Sequence, residues 1–212
     1  MKEGRFDRSE VVLMRGFMPE VPQFILDWRT QTGADLFDEM WEGVLHMVPA
    51  PNVGHQDFEW ELETWLRLHW ARPRKGKVYH DVNVASVGGW PKNYRIPDLV
   101  LLTPQSLHID RHEYLEGPPD VVVEIRSPGD ETVEKMPFYA GLGVPEVWII
   151  DRDTKAPELH ILKEGSYERQ SPAKDGWLWS QVTGIRFRGE ASEKLAIEIA
   201  GDPSTQRVLP ED

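Results

Sequence analysis

Two acids stand where apolar side chains would be expected. Asp98 lies in YRIPDLVLLT, Tyr94 to Thr103, and Glu124 lies in DVVVEIR, Asp120 to Arg126. Both segments read as strands. Alternate side chains on a strand share a face. Ile96, Asp98, Val100 and Leu102 therefore share one face of the first, with Pro97, Leu99 and Leu101 on the other. On the second, Val121, Val123 and Ile125 face one way, and Asp120, Val122, Glu124 and Arg126 the other. A carboxylate in such a strand is costly unless it is paired or bound to a metal. Two on neighbouring strands can share a hard divalent cation, Mg2+ or alternatively Mn2+. Such an ion lowers the pKa of bound water and stabilises charge developing on a phosphate. Lys135 follows shortly after and can orient that water or offset the charge. Together these residues carry the chemistry of metal-dependent phosphodiester hydrolysis. Each alone has a structural reading. Asp98 is an Asp after Pro in a strand, Glu131 and Lys135 have the i,i+4 spacing of a weak surface pair, and Glu124 and Arg126 can each pair with neighbours.

The elements that must position these residues follow from the surrounding pattern. After Glu124 come the turn Ser127-Pro128-Gly129-Asp130, a helix with Lys135 and Tyr139, Gly141 and Gly143, and the apolar run Val147 to Ile150. This is strand, turn, helix, strand. Pro137 is disruptive beyond a first helical turn, so the helix must start late or bend, with Lys135 near its entry. Gly54 to Ala71 is the strongest helix, with Phe58, Leu62, Trp65, Leu66 and His69 on one face. His55 reads as a polar residue of its first turn. Arg72, Arg74, Lys75 and Lys77 form the densest basic cluster, either a phosphate-facing patch or a solvated loop.

Nearer the N-terminus, residues 1–18 are weakly patterned and expected to be loose. Pro22 to Thr32 reads as a helix with an apolar edge of Phe24, Ile25 and Trp28, ended by Gly33. Asp35 to Pro49 reads as two strands joined at Glu42-Gly43, followed by a loop through Asn52. Lys77 to Val87 reads as one strand, and residues 104–119 as a polar connection. Glu158 to Lys163, Tyr167 to Gln170, Trp177 to Ser180, Ile185 to Arg188 and Lys194 to Ile199 read as an antiparallel extension. Residues 1–200 are expected as one domain and 201–212 as a disordered polar tail.

Composition narrows the function classes. With 212 residues, 40% hydrophobic and 28% charged, the chain suits a globular domain with a substantial core. It has no apolar run of membrane-spanning length and no secretory leader pattern. The absence of cysteine excludes disulfides and thiolate metal sites and agrees with a cytoplasmic location. A net charge of −12 opposes nucleic-acid binding unless cations cluster locally or a bound metal supplies the attraction. Core packing accounts for most of the nine Trp.

IPDLVLL and PPDVVVEIRSPGDETVEKMPFYAGLGVPEVWIID, with WEGVLHMVPAPNVGHQ upstream, resemble the Uma2 family of the PD-(D/E)xK nuclease superfamily. The resemblance spans about residues 20 to 200. It implies an α/β fold: a restriction-endonuclease-like core with a mixed central sheet flanked by helices. Pro97-Asp98 matches the PD element, and Glu124 the acidic position of (D/E)xK. The superfamily lysine normally stands where this chain has Arg126, and Lys135 matches the family's displaced lysine. The resemblance implies Asp98, Glu124 and the Ile125 carbonyl as metal ligands, with Lys135 addressing the water. A further acid is expected from Asp38, Glu39 or Glu42. The implied protein is a Mg2+-dependent endonuclease acting on DNA, as a two-fold homodimer. Its rivals are a non-catalytic binding or regulatory module with the same fold, and a metal-dependent hydrolase of another substrate.

Overall fold

The computed structural model describes residues 21–48 and 51–211, so the expectations for residues 1–18 and for Pro49-Ala50 lie outside the described residues. Helix α1 (Gln23–Thr32) ends at Gly33, whose left-handed φ of 69° suits a residue without Cβ. Its Phe24 and Trp28 face solvent rather than forming a buried edge. The hairpin β1 (Glu39–Trp41) and β2 (Val44–His46) turns at Glu42 and Gly43. Both have positive φ, as a two-residue hairpin loop requires.

Helix α2 (Val53–Trp65) is capped by the Asn52 side chain, which accepts the His55 N–H at 2.9 Å. It runs on through a π-helical segment, Leu66–Ala71, and a last turn, α3 (Arg72–Arg74). Four strands follow: β3 (Lys77–His80), β4 (Val84–Ala85), β5 (Tyr94–Arg95) and β6 (Leu99–Leu102). Next come β7 (Leu115–Glu116), β8 (Val121–Arg126), helix α4 (Thr132–Leu142) and β9 (Glu146–Asp151). The rest is strand: β10 (Pro157–Lys163), β11 (Ser166–Arg169), β12 (Leu178–Trp179), β13 (Ile185–Glu190), β14 (Lys194–Ile199) and β15 (Asp202–Leu209).

The central sheet has six strands in the order β11-β10-β9-β8-β6-β3. Only β8 and β9 in it run parallel, and α4 connects them. Leu99, Leu101, Val121 and Val123 pack with Phe58, Leu62, Trp65 and Trp70 of the long helix. Phe187, Ile197 and Leu209 of a separate four-stranded sheet, β12-β13-β14-β15, join the same core. Val100, Leu102 and Val122 instead pack with Tyr139, Val144 and Val147. The two cores thus divide β6 and β8 by the alternation that the sequence predicts.

Two expected strands are each cut in two. Lys77 to Val87 leaves the central sheet after His80 and enters the five-stranded sheet β2-β1-β5-β4-β7 at Val84. Tyr94 to Thr103 crosses the other way, from β5 to β6, at Ile96-Pro97-Asp98. Pro97 has no N–H to give to a ladder, which fits the point of crossing. The crossings are tied together, because the Asp81 N–H donates to the Asp98 carbonyl at 3.1 Å.

The C-terminal strands form two assemblies rather than one extension. β10 and β11 complete the central sheet, while β12 to β15 make their own. The segment after Gly201, expected as a disordered tail, contains β15, which pairs with β14. The Trp65 indole donates to the Thr205 carbonyl at 2.8 Å, and Leu209 is buried. Only Thr205 and Leu209 of this strand are buried, so its sequence looks polar. Among the described residues no helix is long and apolar enough to cross a membrane. Leu209→Ala is expected to cost about 2–5 kcal/mol in urea unfolding, as a cavity in a packed core does. A disordered tail would give no change.

Candidate active site

Glu124 is the residue around which the site is built. It sits in β8 with 3% exposure, between Val123 and Ile125. The Tyr139 hydroxyl donates to its Oε1 at 2.5 Å, and the Lys135 ammonium lies 3.3 Å from its Oε2. Both partners come from α4, one helical turn apart, so a single helix face covers the acid. The helix starts at Thr132 and continues through Pro137, which leaves Lys135 in its first turn. Asp130 prepares that start, accepting the N–H groups of Ser127 at 2.5 Å and Thr132 at 3.1 Å.

Lys135 has a second acid, Glu39, at 2.9 Å, and also donates to the Ile96 carbonyl at 3.2 Å. Glu39 in turn accepts the Ile96 N–H at 2.8 Å and the Trp41 indole N–H at 2.6 Å. This separates the three N-terminal acids. Asp38 is held by the Arg29 guanidinium, and the Glu42 side chain is 71% exposed, so Glu39 is the one that reaches the centre. Arg95 helps fix the hairpin over α4, its guanidinium lying 4.1 Å from the Trp41 ring centroid and 4.2 Å from that of Phe138.

Asp98 occupies the sheet crossing. Its Oδ2 accepts the Ile125 N–H at 2.5 Å, and its Oδ1 pairs with His55 Nε2 at 2.9 Å. The β6–β8 register pairs Leu99 with Val123. Continued by one residue, it sets Asp98 opposite Glu124, and directly opposed residues share a face. Asp98 and Glu124 thus fall on one face, with Lys135 bonded to Glu124 and the Ile125 N–H bonded to Asp98. Arg126 is not part of the group. It reaches sideways to Asp151 at 3.7 Å and Glu158 at 3.5 Å on the adjoining strands. The exposed basic cluster is also remote, since roughly 25 Å of helix separates His55 from Arg72.

Burial and charge shape the protonation states. Glu124 is pushed up to about 8, chiefly by desolvation and further by Asp98 and Glu39, against the pull of Lys135 and Tyr139. Desolvation opposes the charge on Lys135, but Glu124, Glu39 and Asp98 outweigh it and hold the ammonium well above its ordinary value. The Tyr139 phenol is raised by burial and by Glu124.

Sequence reasoning missed two members of the neighbourhood. His55, by its sequence a polar residue of the first helical turn, pairs with Asp98. Glu59, one turn along α2, lies 3.7 Å from the same imidazole nitrogen. The signal was available, because positions 55 and 59 extend the buried stripe of Phe58, Leu62 and Trp65. Burial, with Asp98, Asp81 and Glu63 nearby, pushes Glu59 up to about 9. A carboxyl raised on folding binds more protons in the folded state, so its stabilising contribution is present at low pH and is lost as pH rises toward 9. In metal-free buffer, Glu59→Gln is therefore expected to lessen the fall in Tm between pH 5 and pH 9. The gain should be about 2–4 °C for each kcal/mol of charge burial relieved. Parallel Tm profiles would contradict this origin.

Comparison with known proteins agrees with the architecture. A putative nuclease belonging to DUF820 from Anabaena variabilis ATCC 29413 superposes with a TM-score of 0.54 at 15% identity, covering 68% of this chain and 80% of its own. That likeness supports the restriction-endonuclease-like fold. No curated protein sequence matches the chain. Residues 21–192 match the model of the Uma2 family, described as "Putative restriction endonuclease". The chain belongs to the Uma2 family.

Proposed function

We propose that this protein is a metal-dependent endonuclease that hydrolyses DNA phosphodiester bonds. The observation that carries the reading is Glu124, a buried strand carboxylate bonded to Lys135 and Tyr139, with Asp98 alongside it. The donor set suits a hard cation. A carboxylate offers about four lone-pair positions. Glu124 uses one for Tyr139 and one for Lys135, and Asp98 one for Ile125 and one for His55. Each acid keeps acceptor capacity for an ion. Asp98 and Glu124 are the ligands in this reading, joined by the Ile125 carbonyl, with Mg2+ or Mn2+ as the ion. When bound, the ion lowers the pKa of a water and offsets phosphate charge.

The protein's own residues supply the rest. Lys135 remains protonated and offsets negative charge on the attacked phosphate, because Glu124 and Glu39 favour its ammonium form. Glu39 and Tyr139 orient it and Glu124. His55 orients Asp98. With an overall charge of −12, a bound metal at these acids supplies attraction for a polyanion. The contact between Lys135 and Glu124 supports a catalytic role over a non-catalytic module with dispersed acids. Cutting both strands calls for two such centres, and a two-fold dimer belongs to the proposal.

The test is plasmid nicking with Mg2+ or Mn2+. Asp98→Asn, Glu124→Gln and Lys135→Met are each expected to slow nicking by about 100-fold or more, in line with removal of one group that stabilises transition-state charge. Arg126→Ala, whose partners are Asp151 and Glu158, should retain most of the activity. Full activity in a folded Lys135→Met, or its loss in a folded Arg126→Ala, would overturn the assignment. A protein that binds plasmid DNA but never nicks it would favour the regulatory module.

A further inference from the structure

We propose that Glu59, His80 and Asp81 form a second divalent-cation site, suited to ions of the Mn2+ to Zn2+ type that accept nitrogen as well as oxygen. A ligand atom from each of the three side chains lies within 4.8 Å of the others. It uses Glu59 Oε1, whereas Glu59 Oε2 faces His55, and it requires neither Glu124 nor Lys135.

The Glu59 side chain is only 7% exposed, and its Oε1 makes no hydrogen bond. A buried carboxylate oxygen without a partner is costly. His80 Nδ1 lies 3.9 Å from this oxygen, too far for a hydrogen bond. The same nitrogen lies 3.9 Å from Asp81 Oδ2. Atoms that bind a common ion at about 2.1 Å each lie roughly 3–4 Å apart, so this spacing suits coordination better than direct contact.

The backbone explains why two consecutive residues converge. In an extended strand His80 and Asp81 would point to opposite faces. Asp81 instead takes φ 46° where the chain leaves β3 for the other sheet, a left-handed conformation that aspartate tolerates. Its N–H is anchored on the Asp98 carbonyl. The turn therefore brings both side chains toward Glu59. His80 is open to solvent and Asp81 partly so, giving an ion a path in and leaving positions for water. An imidazole ligand disfavours Mg2+ relative to the later divalent ions. Two carboxylates against one divalent ion also neutralise the acidic corner made by Glu59, Asp81 and Asp98.

The test uses the full chain and Mn2+ alone. Electron-spin-echo spectra of the bound ion show nitrogen modulation when an imidazole coordinates it. Modulation is expected in the wild type and in Glu124→Gln, and is expected to disappear in His80→Ala, whose exposed side chain can be removed without harm to the core. Glu59→Gln, nearly isosteric, should weaken the nitrogen-coordinated ion by about tenfold or more in a Mn2+ titration. Modulation that survives in His80→Ala, or is abolished by Glu124→Gln, would overturn the proposal, as would unchanged affinity in Glu59→Gln. These readouts do not involve DNA, so the site stands or falls separately from the nuclease reading.

Discussion

A carboxyl group in the middle of a buried strand is the constraint to which the surrounding structure answers. Glu124 lies in β8 with apolar neighbours on either side, and a carboxylate left alone there would be strongly unfavourable. Lys135 and Tyr139 compensate it, and Glu39 balances the lysine from the far side. The scale differs from that of the surface pairs. An exposed contact such as Arg152–Asp153 contributes at most about 1 kcal/mol, whereas removing one partner from a buried pair costs about 3–5 kcal/mol. The orientation of α4 and the docking of the β1–β2 hairpin are therefore matters of electrostatics as much as packing. His46, bonded to Glu131 at 2.8 Å, and the Trp41–Arg95–Phe138 stack hold hairpin and helix together.

The second organising feature is the pair of crossings between sheets. The chain passes from β3 to β4 at Asp81 and from β5 to β6 at Ile96 to Asp98. Strand ladders end there, which frees side chains and backbone groups for other contacts. Asp98 gathers the Ile125 amide, His55 and the Asp81 amide at this point. A proline before it keeps the crossing from closing into a continuous ladder. Acids in the middle of either strand would be locked on one face. Placed at the break, Asp98 receives α2 from one side and the edge of β8 from the other.

Much of this was legible in the sequence, and the reasons are local. Alternation in β6 and β8 placed the two acids among apolar residues and divided their neighbours correctly between two cores. The turn at Ser127 to Asp130 and the following helix placed Lys135 near a helix start. Other features depended on tertiary placement. The choice among Asp38, Glu39 and Glu42 rests on hairpin register and on Arg29 capturing Asp38, neither of which has a local signature. A run such as Lys77 to Val87 has the composition of one strand, and nothing in it marks a change of sheet except Asp81. β15 was hidden because only Thr205 and Leu209 of it turn inward. Glu59 has no strand or turn signal of its own, and only its place on the buried stripe of α2 marks it.

The central claim is that Asp98 and Glu124 bind one cation between them. Anomalous diffraction from crystals soaked in Mn2+ tests it directly. The account predicts a peak about 2.2 Å from a carboxylate oxygen of each residue, lost in Glu124→Gln. No peak between them at saturating Mn2+, or an ion that touches neither acid, would contradict it.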